Sequence, residues 1–192
     1  MINLRVVLML VSIGCFALPA AAYSGGIKAG IAEVNGTKLF YETQGEGQPL
    51  VFIHGGGFDR RMWDDQFELF SKQFRVIRYD VRGYGKSAMP TRPYSDVEDL
   101  YQLLNTLKVK KAHLVGLCMG SRIAVEFSLA HPEMVETLTA SSPSLIGFPY
   151  SQEVVQGLMM ATFSIQNDDG TPAGEVWLKD PFNGPAMENP EV

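Results

Sequence analysis

One cysteine in this chain stands between two glycines, each two residues away: Gly116-Leu117-Cys118-Met119-Gly120. A short apolar run (Ala112, Leu114, Val115) ends at Gly116, and an amphipathic run begins at Met119. Such a pattern suits a sharp strand-to-helix turn, where bulkier neighbours would collide across the bend. At that turn the Cys118 sulfur meets the positive end of a helix, a place that favours a thiolate. The chemistry on offer is nucleophilic attack. A second stretch, His54-Gly55-Gly56-Gly57, follows the apolar run 50–53, where the backbone must approach something closely. A third, Asp80-Val81-Arg82-Gly83-Tyr84-Gly85-Lys86-Ser87, follows the run 74–79.

The elements that would carry these residues alternate. Strands at 31–35 and 38–43 are joined by Asn35-Gly36, a strong hairpin-turn signal. The run before His54 is continuously apolar, as a buried parallel strand is. Residues 59–73 read as a helix with Asp59 as its cap and Trp63, Phe67 and Phe70 on one face. A strand at 74–79 follows. Ser95-Asp96-Val97-Glu98 is a capping box for a helix whose apolar face holds Leu100, Leu103, Leu104 and Leu107. Next come a strand at 112–115 and a helix at 119–131, with Ile123, Ala124, Phe127 and Leu129 inward and Pro132 closing it. Residues 135–140 are another strand. Strands alternating with helices imply right-handed crossovers and a mostly parallel sheet with its site at the strands' C-terminal ends. His54, Asp80 and Cys118 all belong to that edge.

The 192 residues fit one domain, and 46% of them are apolar, enough for a real core. The net charge is −5 with no basic block, which argues against nucleic acid as a partner. Residues 1–22 differ from the rest. Arg5 gives a short positive start, residues 6–18 are apolar apart from Ser12 and Gly14, and Pro19-Ala20-Ala21-Ala22 offers a small-residue cleavage site. The reading is a secretory signal removed after about Ala22, and hence a secreted or periplasmic protein. An uncleaved anchor is the alternative, although the apolar run falls short of the ~20 residues a span needs. A lipoprotein signal at Cys15 fits less well, because apolar residues continue to Leu18. Without the leader, Cys118 is the one cysteine, with no internal disulfide to make. It is then either a buried small hydrophobe or a chemical group, and the elbow favours the second. Residues 23–30 read as a mobile Gly-rich lead, and 151–163 as a helix with Val154, Val155, Leu158 and Met159 inward.

Taken together, these motifs resemble the α/β-hydrolase family, in particular the branch holding 3-oxoadipate enol-lactonases, carboxylesterases and cofactor-free haloperoxidases. The resemblance rests on Phe52-Ile53-His54-Gly55-Gly56-Gly57 with Trp63 downstream, the turn from Tyr79 to Ser87, His113-Leu114-Val115 leading into the Cys118 elbow, and Leu129-Ala130-His131-Pro132-Glu133. It covers about residues 31–145. It implies an α/β sheet, mostly parallel with an N-terminal antiparallel hairpin. Residues 1–22 would be the signal, 23–148 the first part of the hydrolase domain, and 149–192 the start of a helical cap.

Carried over by position, Cys118 is the nucleophile and the backbone N–H groups of Gly56 and Met119 form the oxyanion hole. His54, Gly55, Gly57, Gly116 and Gly120 support the elbow and loop. Asp80 and Arg82 brace a turn, and Trp63 packs in the core. Most family members carry serine at the elbow; dienelactone hydrolases resemble this chain in using cysteine. The family's acid and histidine follow the nucleophile in the chain, and no counterpart is found. His113 reads as a strand residue, His131 as a helix C-terminal partner, and Asp168, Asp169 and Asp180 fall in the cap-like segment with Glu175 to Pro181. The expectation is therefore a chain that stops inside the cap, lacks the last strands, and has little activity alone.

The resemblance implies acyl transfer from a small-molecule ester, lactone or thioester, with no cofactor, no metal and no stable membrane span. An open sheet edge would favour self-association. The rival is a non-catalytic ligand-binding protein on the same fold. Dehalogenase or epoxide hydrolase chemistry fits poorly, because those enzymes attack with a carboxylate and this elbow has none.

Overall fold

The computed structural model describes residues 26–143 together with 151–152. The signal reading of 1–22 and the cap readings beyond 152 lie outside the described residues. Six strands form one sheet in the order β1-β2-β4-β3-β5-β6. They are β1 Lys28–Val34, β2 Thr37–Gln44, β3 Pro49–Ile53, β4 Arg75–Tyr79, β5 Ala112–Leu117 and β6 Val135–Ser141. β1, β2 and β4 pair antiparallel, whereas β4, β3, β5 and β6 run parallel. The mixed, mostly parallel sheet with an N-terminal hairpin matches the expectation. Asn35 and Gly36 both have positive φ (46° and 69°), the backbone a two-residue hairpin turn demands.

Alternation along the central strands sends side chains to two cores. Val51 and Ile53 join Ile77, Tyr79 and Leu114 beneath the helices α2 (Asp96–Thr106) and α3 (Met119–Ala130). Leu50 and Phe52 face the opposite side, where Phe67 of α1 (Asp64–Phe70) covers them with Val76. Because both faces are covered, β3 reads as an unbroken apolar run rather than an alternating one. Trp63 stacks on Phe52 with ring centroids 4.9 Å apart, in the packing role expected of it.

Several boundaries differ from expectation. β1 begins at Lys28, so part of the segment read as a mobile lead is paired with Thr43, Glu42 and Tyr41. The helix expected over 59–73 divides into a 3₁₀ turn, Arg60–Trp63, and the short α1. The cause is tertiary: the backbone N–H of buried Arg60 donates to the Asp80 carboxylate, and the Asp59 side chain caps Arg61. Leu129, expected inward, is 78% exposed. It lies two residues beyond Phe127, roughly 200° around the helix, whereas Ile123 and Phe127 repeat at the inward spacing. Only half of the capping box forms. Ser95 Oγ accepts the Glu98 N–H, but the Glu98 carboxylate turns forward to accept from Gln102.

Charge is buried where the hairpin meets the glycine loop. Glu42 and Arg78 are cross-strand neighbours in register and pair at 2.7 Å. Arg60 bridges them to Asp80, with contacts of 3.0 Å to each carboxylate. Arg82 grips Asp99 through Nε and Nη2, at 2.8 and 2.6 Å, tying the turn after β4 to α2. Asp80 and Arg82 therefore brace loops, as the resemblance implied. Among the described residues, no helix is long and apolar enough to cross a membrane.

Candidate active site

Three loops leave the C-terminal ends of β3, β4 and β5 on one edge of the sheet. Cys118 sits between β5 and α3 at φ 50°, ψ −109°, a sparsely populated conformation for a residue with a side chain. It is exposed. Its N–H donates to the Ser141 carbonyl at 2.9 Å, and its carbonyl accepts from Arg122. The Ser121 hydroxyl lies 2.6 Å from the carbonyls of both Gly116 and Ser141, closing the base of the turn.

The flanking glycines are required by contact. A Cβ on Gly116 would lie 2.4 Å from the Gly120 carbonyl oxygen, and one on Gly120 would lie 2.2 Å from the Ile53 carbonyl oxygen. α3 thus approaches both its own strand and β3 more closely than any side chain allows. The strained residue between them is over-determined by main-chain packing.

The glycine loop adjoins the elbow. A Cβ on Gly55 would stand 3.8 Å from Cys118 Cβ, and one on Gly56 would stand 4.0 Å from Met119 Cβ. Met119 is first in its helix, so its N–H has no intrahelical acceptor. Neither this N–H nor that of Gly56 is bonded to another described residue. Gly57 takes φ 80°, turning the chain back from the site.

His54 holds the loop from beneath. It is fully buried, and its Nε2 accepts the Val81 N–H at 2.9 Å. That bond leaves the ring proton on Nδ1, which donates to the Gly55 carbonyl at 2.8 Å. The peptide between Gly55 and Gly56 is trans, so anchoring its oxygen aims the Gly56 N–H the other way. Burial lowers the His54 pKa below the ordinary 6.5, opposed by its bond to Gly55 and by Asp80 and Asp59. A lowered imidazole pKa means that the unfolded chain takes up a proton before the folded one does. The His54 contribution to stability is therefore full above 6.5 and is lost as pH falls below it. Urea midpoints taken from about pH 7.5 to about pH 5 should fall more steeply for the native chain than for His54→Gln. Equal slopes would show that His54 protonates freely in the fold.

The other histidines are occupied elsewhere. His113 has Thr137 and Gln48 within 2.9 Å of its two ring nitrogens. His131 stacks on Tyr101 and lies 3.6 Å from Glu133. These three are all the histidines of the chain, and each is engaged away from Cys118. Among the described residues, no group of three or more His, Cys, Asp or Glu side chains could hold a metal ion.

Sequence patterning missed two neighbours of the site. Tyr84 packs edge-on against His54, and its hydroxyl would lie 3.9 Å from a Cβ on Gly56. The Met62 sulfur accepts the Gly55 N–H at 3.3 Å. Neither belongs to an apolar stripe, and no short motif signals a thioether as a hydrogen-bond acceptor.

A family profile described as "alpha/beta hydrolase fold" matches residues 48–172. The chain is 37% identical over 109 residues to a pimeloyl-[acyl-carrier protein] methyl ester esterase of Aliivibrio fischeri, a match covering 56% of this chain and 42% of that protein. Among solved structures, an epoxide hydrolase variant of Vigna radiata superposes with a TM-score of 0.54 at 30% identity, covering 58% of this chain and 37% of that one. The enol-lactonase of Burkholderia xenovorans LB400 gives a TM-score of 0.60 at 28% identity, over 81% of this chain and 70% of the other. The chain spans less than half the length of the first curated relatives it matches.

Proposed function

The chain belongs to the alpha/beta hydrolase fold family, and from that premise we propose that it is an exported hydrolase that cleaves a carboxylic ester, lactone or thioester by acyl transfer through Cys118. The observation that carries this reading is the exposed elbow thiol beside two amides, those of Gly56 and Met119, that bond to no other described residue. The thiolate attacks the acyl carbon, and the carbonyl electron pair moves onto oxygen between the two amides. That attack makes the carbon–sulfur bond. On collapse the oxyanion pair re-forms the carbonyl, and the bond to the leaving group breaks with its electron pair on the departing alkoxide or thiolate, which takes a proton from water. Relatives named for ester and lactone hydrolysis support that substrate class. The epoxide hydrolases among the structural neighbours share the fold, but the elbow here offers sulfur and no carboxylate. Export is supported by the composition of residues 1–22.

None of the three histidines is placed to activate water, so deacylation should be slow and the acyl–Cys118 species should accumulate. Incubation with p-nitrophenyl acetate is expected to release one nitrophenolate per chain in a burst. Mass spectrometry should then find an acetyl group on the peptide containing Cys118, and none in Cys118→Ala. A chain that takes up iodoacetamide at Cys118 but no acetyl group would be a ligand-binding member of the family. That second reading is favoured by the same occupied histidines.

A further inference from the structure

We infer that Met62 is a positioning residue for the oxyanion site, its sulfur fixing the peptide that precedes the Gly56 donor. The inference rests on Cys118 acting as proposed above. The loop from His54 to Gly57 consists of consecutive peptide planes with few side chains to steady them. Its second plane is held through the Gly55 carbonyl, which accepts from His54 Nδ1 at 2.8 Å and from the Phe58 N–H at 3.3 Å. Its first plane, between His54 and Gly55, has a buried N–H whose partner is the Met62 sulfur at 3.3 Å.

Two planes that share the Gly55 α-carbon are thus each tied at one end, and only their combined orientation aims the Gly56 N–H toward the elbow. Without an acceptor at Met62, the Gly55 N–H would be buried and unpaired, and the loop would rotate to find water. Glycine offers little resistance to that rotation. A hydrophobe of similar volume at position 62 would fill the space but accept nothing. The thioether, although a weak acceptor, is what distinguishes Met62 from a packing residue. The 3₁₀ turn Arg60–Trp63 delivers it, held by the bonds of Arg60 to Asp80 and of Asp59 to Arg61.

Two reagents separate this role from simple packing. Acylation by p-nitrophenyl acetate develops an oxyanion, whereas alkylation by iodoacetamide displaces iodide from an sp³ carbon and develops none. In the full chain, Met62→Leu should slow acylation of Cys118 about 10-fold while alkylation stays within about 2-fold of the parent. Met62→Gln, whose amide oxygen can accept the Gly55 N–H, should recover most of the acylation rate.

Acylation by Met62→Leu at the parental rate would overturn the inference. So would equal slowing in the Leu and Gln variants, or a parallel fall in alkylation, either of which indicates disturbed packing. If the parent chain is alkylated but never acylated, the acyl-transfer reading itself fails, and the role of Met62 falls with it.

Discussion

Gly120→Ala should destabilise the fold by at least about 3 kcal/mol, the upper end for overpacking, read as a shift in urea midpoint at constant slope. The added methyl would meet the Ile53 carbonyl oxygen at 2.2 Å, its carbon at 2.6 Å and the His54 carbonyl oxygen at 2.7 Å. The first two belong to the last residue of β3, paired on both sides by β4 and β5, and the third to His54, whose ring is anchored at both nitrogens, so none can rotate aside. Relief requires α3 to lift away from β3, which uncovers Ile123 and Ala124 and draws Met119 away from Gly56. The same substitution should therefore also slow acylation of Cys118 in whatever fraction remains folded. Gly26→Ala is the control, because its methyl would touch nothing within 4 Å. A midpoint for Gly120→Ala equal to that of the control would mean that the helix does not rest on the strand as described.

The second large effect is expected at Asp80. This fully buried carboxylate accepts the Arg60 N–H at 2.9 Å, Arg60 Nη1 at 3.0 Å and the Lys86 N–H at 2.8 Å. Asp80→Ala leaves part of a buried guanidinium uncompensated and two backbone donors unpaired. Removal of one partner from a buried pair costs about 3–5 kcal/mol. Glu42 still faces Arg60, which places the expected loss near the lower bound. The damage should also reach the site. Val81, the next residue, donates to His54, and Arg60 opens the turn that carries Met62. Arg61→Ala should leave the midpoint unchanged, since the Arg61–Asp59 pair stands at the surface, although Arg61 holds the Asp59 carboxyl down to about 2. If Asp80→Ala behaves like Arg61→Ala, the buried charges are hydrated and the network does not hold the loops.

The features legible in the sequence are those that depend on main-chain geometry. Asn35-Gly36 announces a hairpin because both residues must take positive φ. Gly116 and Gly120 announce an elbow because a Cβ at either would strike backbone. The unbroken run of β3 announces a strand covered on both faces. What escaped reading depends on partners distant in sequence. Arg60 looks like a residue on the solvent face of a helix until β4 brings Asp80 against it, and that contact tightens the expected helix into a 3₁₀ turn. Leu129 looks like a core residue by type and is outward by angle. The paired lead at Lys28 escaped because its cross-strand contacts, not its composition, define it. Met62 carried no signal, since a thioether is read as bulk wherever a pattern is read by polarity.

The elbow's shape is stored in amides and carbonyls: Cys118 to Ser141, Arg122 to Cys118, and the bare α-carbons of Gly116 and Gly120. The Cys118 side chain makes no capping bond to its helix. Scaffold and warhead are thus separable inheritances. A lineage can exchange thiol for hydroxyl at this apex and alter its reaction repertoire without renegotiating its architecture, whereas the silent glycines on either side are not open to trade.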